Sequence, residues 1–211
     1  MIIFQRMATF AGPLDEIGAW AMEITETVNK KSSLDVSLWQ GVFGVPVGTL
    51  GWSTRVESLT ALEAATDALV GDPGYLSQVN KARDWSTGPV EDSLLRMLHT
   101  AGGTYVRPDV GAYAEGTMAI PAAGKLAKAG AFGVEISDIH SKLTHSSVLF
   151  CTSEYGDFGA LRWLAMYDSA AAVDHAAEVI AKDPDYGAKL DEAGDLFVEG
   201  IARRTLARRI L

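Results

Sequence analysis

The spacing of apolar residues changes period several times along the chain, and each change marks an element. Ile2 to Thr9 is dense in β-formers and reads as a strand. After Gly12-Pro13, the residues Leu14, Ile17, Ala21, Ile24 and Val28 step by three and four, which predicts a helix with one apolar face. Val36 to Phe43 and Thr49 to Val56 read as strands, joined by a hairpin loop at Gly44-Val45-Pro46-Val47-Gly48. Ser58 is an N-cap residue for a second helix, with Leu59, Leu62, Ala65 and Leu69 expected on its inner side. Asp72-Pro73 restarts that helix, because aspartate offers the cap an acceptor and proline at the first helical position loses no needed N–H. Ser93 to His99 closes the set as a strand.

The same order then recurs. Trp52 and Trp163 stand 111 residues apart, as do Gly48 and Gly159, Leu50 and Leu161, and Ser58 and Ser169. The shift also carries Asp72, Pro73 and Tyr75 onto Asp183, Pro184 and Tyr186. At the front, a shift of 112 carries Leu14, Gly18 and Ile24 onto Leu126, Gly130 and Ile136. Chance supplies one such pair, not a series with two tryptophans and two Asp-Pro-x-Tyr motifs, so the chain is a fused duplication. The second copy predicts helices around Leu126 to Ile139 and Ala170 to Ile180, with a last strand at Ile201 to Leu211. The expected division is residues 1–104 and 105–211.

Strand-helix-strand twice over is the ferredoxin-like unit, so the fold class is α+β. Such a unit covers one sheet face with its helices, and the second copy is expected to cover the other. The chain resembles the dimeric α/β-barrel superfamily with both halves fused, a likeness carried by the Asp-Pro-x-Tyr break and the duplicated topology. Within it the resemblance extends distantly to antibiotic-biosynthesis monooxygenase-like and NIPSNAP-like proteins. It implies two tandem βαββαβ units packed sheet to sheet as an intrachain barrel.

Composition narrows the function. The apolar fraction is 48%, ample for a core, and a formal charge of −9 argues against nucleic acid as partner. One cysteine, Cys151, excludes an internal disulfide and a cysteine-built zinc site. Met1 to Phe10 lacks a basic start followed by a long apolar run, and no stretch is long enough to span a membrane. A cytoplasmic protein with a small apolar or aromatic partner is expected, and a homodimer is compatible with the fold.

Comparing the copies also nominates a pocket. Ser53-Thr54-Arg55 stand where the second copy has Leu164-Ala165-Met166, Gln40 aligns with Cys151, and His99 with Leu211. Arg6 adds a charge on a neighbouring strand. Unpaired burial of such groups costs several kcal/mol each, so they are paired, exposed at a rim or wrapped around a ligand. Trp39 and Trp52 would wall a flat molecule. Yet Trp52 recurs as Trp163 and Trp39 aligns with Phe150, the behaviour of core positions. The monooxygenase-like resemblance implies a cofactor-independent oxygenase for a flat aromatic or polyketide-like substrate. Arg55 or Arg6 would then be the cation for a developing oxyanion, His99 the base, Gln40 and Ser53 the orienting groups. A non-catalytic binding or assembly protein is the alternative.

No metal site is expected, since His140 and His145 are five apart and lack helical carboxylate partners. No cofactor is expected either. The exception would be haem, because chlorite-dismutase-like relatives carry their haem ligand where His140 falls, though Ser141-Lys142-Leu143 replaces the glycine and arginine that follow it there. Haem-degrading relatives use a histidine where this chain has Gln78 and Lys189. Cys151, between Phe150 and Thr152, reads as an inert buried thiol. Arg203, Arg204, Arg208 and Arg209 read as charges protecting a strand edge, with carboxylate binding as the other use.

Overall fold

The structure is a computed structural model that describes residues 1–211. The first copy runs β1 (Ile2–Thr9), α1 (Leu14–Lys31), β2 (Ser37–Phe43), β3 (Thr49–Val56), α2 (Leu59–Val70), α3 (Pro73–Lys81) and β4 (Glu91–Ala101). The second runs β5 (Tyr113–Ala119), α4 (Leu126–Thr144), β6 (Ser147–Tyr155), β7 (Leu161–Tyr167), α5 (Ala170–Lys182), α6 (Pro184–Asp191) and β8 (Arg203–Arg209). Helix starts follow the residues that dictate them. Ser58 and Ser169 accept from the N–H of Ala61 and Ala172, and Asp72 and Asp183 from the N–H of Tyr75 and Tyr186.

The strands form one closed antiparallel barrel in the order β1-β3-β2-β8-β5-β7-β6-β4. Within each copy the order is that of a ferredoxin-like sheet. The free edges then pair with each other, β2 with β8 and β4 with β6. Closure therefore corrects the reading of the β8 arginines as edge protection, because β8 is hydrogen-bonded on both sides and no edge remains to guard.

Alternation divides every strand between two environments. On the outer face, Ala8, Leu38 and Leu50 pack with Ile17, Trp20, Ala21 and Ile24 of α1. Val148, Ala165 and Tyr167 meet Ala176 of α5 on the outer face of the second copy. Inside the barrel, Ile3, Leu95, Leu149 and Cys151 form a separate cluster with Leu164 and Met166 beside it. Two residues predicted to face inward do not: Leu14 is 69% and Leu59 is 54% exposed, each in the first turn of its helix beyond the reach of the sheet. No helix is long and apolar enough to cross a membrane.

Candidate functional site

A cavity of about 790 Å³ occupies the barrel interior. Its walls come from inward positions of β1, β2, β3, β5, β6, β7 and β8. Ile3, Met7, Trp39, Leu149, Leu164 and Met166 make them apolar, while Gln5, Ser53, Arg55, Arg162 and Thr205 add polar groups. One end lies at Ser37 and Val56, where β2 begins and β3 finishes, and is bordered by Asp35, Glu57, Tyr105 and Arg107. The other lies near Thr49 and Arg203.

Three of the residues singled out from the sequence meet here. The Trp39 indole, 8% exposed, donates through Nε1 to Ser53 Oγ at 2.9 Å, which fixes the ring against its neighbouring strand. Arg55 lies two residues further along β3 on the same face. Its guanidinium carbon stands 4.6 Å from the centre of the Tyr105 ring, and its Nε and Nη2 donate to Met1 Sδ.

The other four go elsewhere. Arg6 and Trp52 are register partners that border the cavity, but their side-chain partners lie on the outer face. Trp52 Nε1 donates to Thr25 Oγ1 of α1 at 2.9 Å, and its ring meets Trp20 and Phe10 edge-on. Arg6 is clamped by Asp92 through two bonds of 2.7 Å and lies over Phe4, and those bonds raise its pKa further above neutrality. Gln40 is exposed on the outer side of β2. A bulge between Met97 and His99 turns His99 outward, where Nε2 meets Asp138 of α4 at 2.7 Å. Arg6, Gln40 and His99 are thus not brought to Trp39, Ser53 and Arg55.

The structure also corrects the alignment of the copies at β2 and β6. Leu38 pairs with Trp52 and Phe150 pairs with Trp163, so Leu38 corresponds to Phe150 and Trp39 to Cys151. A slip of one residue exchanges the faces of a strand. Trp39 therefore faces the cavity while Phe150, 1% exposed, packs outward against Trp163 at 5.2 Å. Cys151 is fully buried inside, and burial pushes its thiol up to about 12, the behaviour of an inert side chain.

A second polar cluster lies on the outer face of the second copy, around the His140 that the sequence offered only as a haem ligand. His140 of α4, 9% exposed, meets the Tyr167 hydroxyl through Nε2 at 2.8 Å. The Tyr186 ring is 6.2 Å from the imidazole, and the Arg204–Glu115 ion pair stands beside them. Burial, and then the charge of Arg204, push His140 down to about 4, while burial raises both tyrosines. The signal was present in the duplication, since Val28 and Val56 occupy the corresponding places in the first copy. These groups do not fit haem. The His140 Nε2 that would ligate iron is taken by Tyr167, the ring is enclosed by two tyrosines, and the large cavity is on the other side of the sheet.

No family model matches the sequence, and no curated protein matches it. Solved structures do. A candidate monooxygenase from Fusobacterium nucleatum subsp. nucleatum superposes with a TM-score of 0.72 at 8% identity, over 100% of this chain and 92% of the other. An anthrone oxidase-like protein gives 0.70 at 12% identity, covering 100% and 91%. A candidate chlorite dismutase gives 0.55 at 11% identity, covering 100% and 96%. At such identities the likeness shows the fold: a tandem ferredoxin-like α/β barrel.

Proposed function

We propose that the protein binds a flat, largely apolar small molecule inside its barrel. The observation that carries this is the cavity of about 790 Å³ with an indole fixed at its wall. That volume lies in the range of small-molecule sites, and apolar walls with a few placed polar groups are their usual lining. A tryptophan tied to Ser53 presents its ring without having to be ordered on binding, which lowers the entropic cost of recognition.

Oxygenation of the bound molecule is a second reading. It draws on the likeness to an anthrone oxidase-like protein and on Arg55, which stands in the cavity as a cation able to face an oxyanion. The interior holds no histidine to act as base, since His99 and His140 both lie outside the barrel. Carboxylates border the cavity at its ends, through Asp35, Glu57, Glu91 and Asp157. Binding is accordingly the better supported reading, and proton abstraction would have to come from an end of the cavity.

Both readings meet one experiment. Anthrone is titrated into the protein without oxygen while tryptophan fluorescence is followed, and oxygen uptake is then measured after air is admitted. The expected result is saturable quenching that disappears in Trp39→Phe and in Ala207→Phe, which places a ring in the cavity. Quenching that survives both substitutions would refute binding in the barrel. Oxygen consumption no faster than in buffer would remove the oxygenase reading alone.

A further inference from the structure

We infer that the ligand of the barrel is an amphipathic anion, its acidic group seated at the Arg55 end and its apolar body lying along Trp39. This rests on the cavity being a binding site, as proposed above. The reasoning starts from how the charges at that end are satisfied.

Three guanidinium groups gather there, from Arg55, Arg107 and Arg209. Arg107 is fully engaged: it pairs with Asp35, donates through Nε to Ser37 Oγ at 3.0 Å and through Nη2 to the Val36 carbonyl at 3.0 Å. Arg209, 7% exposed, donates to the main-chain oxygens of Leu211 and Pro108. Arg55 has only the Met1 thioether and the face of Tyr105. Thioether sulfur is a weak acceptor, and a ring face offers a quadrupole in place of a charge. The two carboxylates at this end, Asp35 and Glu57, are both exposed to water.

The contrast with the other arginines at the cavity is chemical. Arg6 is held by Asp92 and Arg162 by Asp157 and Ser153. Arg203, at the far mouth, is exposed and solvated. Among the arginines that line the cavity, Arg55 alone is half-buried with no carboxylate partner, in a chain whose formal charge is −9. A partly desolvated cation without a counterion is costly, and an incoming carboxylate or sulfonate would relieve that cost with charge-assisted hydrogen bonds. The Tyr105 hydroxyl makes no hydrogen bond within the protein and borders the same end of the cavity, so it is free to donate to the same group. Met1, 52% exposed, is the side chain an anion would displace.

The duplication supports the direction of the charge. At the place of Arg55 the second copy has Met166, and at the place of Ser53 it has Leu164. At these two positions the halves of the wall are unlike, and the cation that the second copy does place in the wall, Arg162, is already paired with Asp157.

A matched pair of ligands tests this: anthracene-2-carboxylate and anthracene-2-carboxamide, which share a ring system and differ in charge. Equilibrium dialysis is run with the wild-type protein, Arg55→Met and Arg55→Lys, each checked for its fold by circular dichroism. The acid is expected to bind about tenfold or more tighter than the amide. Arg55→Met should abolish that preference by weakening the acid far more than the amide, and Arg55→Lys should keep part of it. Equal affinities for acid and amide in the wild type, or a preference that survives Arg55→Met, would overturn the inference and leave the cavity reading standing. If neither compound binds, both fall together.

Discussion

Acidification offers a sharp test of the outer cluster, because one buried histidine there resists its proton. His140 has an ordinary value of 6.5 and sits at about 4 in the folded chain, chiefly through burial and secondarily through Arg204. In the unfolded chain it takes a proton as the pH falls below about 6.5. The unfolded state therefore binds the proton first, and stability is lost between pH 6.5 and about 4, with nothing further to lose below that. At about 1.4 kcal/mol per pH unit, the full loss is roughly 3 kcal/mol. Only 9% of the residue is exposed, so solvent screening takes little from that figure. His140→Gln keeps an acceptor for the Tyr167 hydroxyl and cannot titrate. Urea unfolding of both proteins at pH 7, 5.5 and 4.5 gives the measurement. Asp72, whose carboxyl Lys31 holds below its ordinary value of 3.8, gives up its contribution only below this range, and whatever it contributes is common to both proteins and cancels in the difference. The wild type should lose stability relative to His140→Gln as the pH falls, by most of those 3 kcal/mol. Parallel curves would show that the imidazole is not dry or that its partner is not Tyr167.

Two further predictions concern packing. A methyl group on Gly133 would come 2.1 Å from the ring of Phe150, so Gly133→Ala should cost about 1–3 kcal/mol in thermal or urea unfolding. Gly130, one turn earlier with nothing within 4 Å, should instead gain about 0.5–1 kcal/mol on becoming alanine; the same sign at both sites would refute the closeness of α4 to β6. Trp52→Ala and Trp163→Ala should each cost about 3–5 kcal/mol, since each indole packs under a helix and donates to it, Trp52 to Thr25 and Trp163 to the Gly133 carbonyl. Losses under about 1 kcal/mol in both would mean the outer core is misplaced.

Much of the architecture was legible because a duplication carries its own control. Helix starts at Ser58, Asp72, Ser169 and Asp183 were readable from local chemistry, which capping makes independent of the rest of the fold. Side-chain facing was harder. Arg6 and Trp52 looked like cavity residues because a strand's period of two says which residues share a face, not which face is inside. His99 lies past a bulge that no local pattern announces. The pairing of Trp39 with Phe150 failed because β2 and β6 are offset by one residue relative to β3 and β7, and an alignment without a gap hides such a slip. The resemblance implied an intrachain barrel, but which edges close it, β2 with β8 and β4 with β6, was out of reach: edge pairing depends on how two sheets meet, which neither copy encodes alone.

The corrected correspondence separates scaffold from specialisation. Both copies keep an ion pair near the repeated tyrosine, Arg6–Asp92 near Tyr75 and Arg204–Glu115 near Tyr186, but with the charges exchanged between strands. In the first copy the arginine is on β1 and the carboxylate on β4; in the second the carboxylate is on β5 and the arginine on β8. A group used to polarise a substrate could not change strand without moving the chemistry, whereas a cross-strand staple works in either orientation. Arg6 is therefore better understood as such a staple. Two groups of the differences that remain lie on opposite sides of the sheet, while Gly51 against Arg162 runs the other way inside the barrel. Inside the barrel the first copy carries Trp39, Ser53 and Arg55 against Cys151, Leu164 and Met166; outside, the second carries His140 and Tyr167 against Val28 and Val56. After duplication each half was free to place polar groups where its twin kept hydrocarbon, provided the shared caps and tryptophans held the frame. The inner set opens onto a cavity and the outer set is closed by its own hydrogen bonds, which is why ligand recognition is proposed for the first and acid sensitivity is expected of the second.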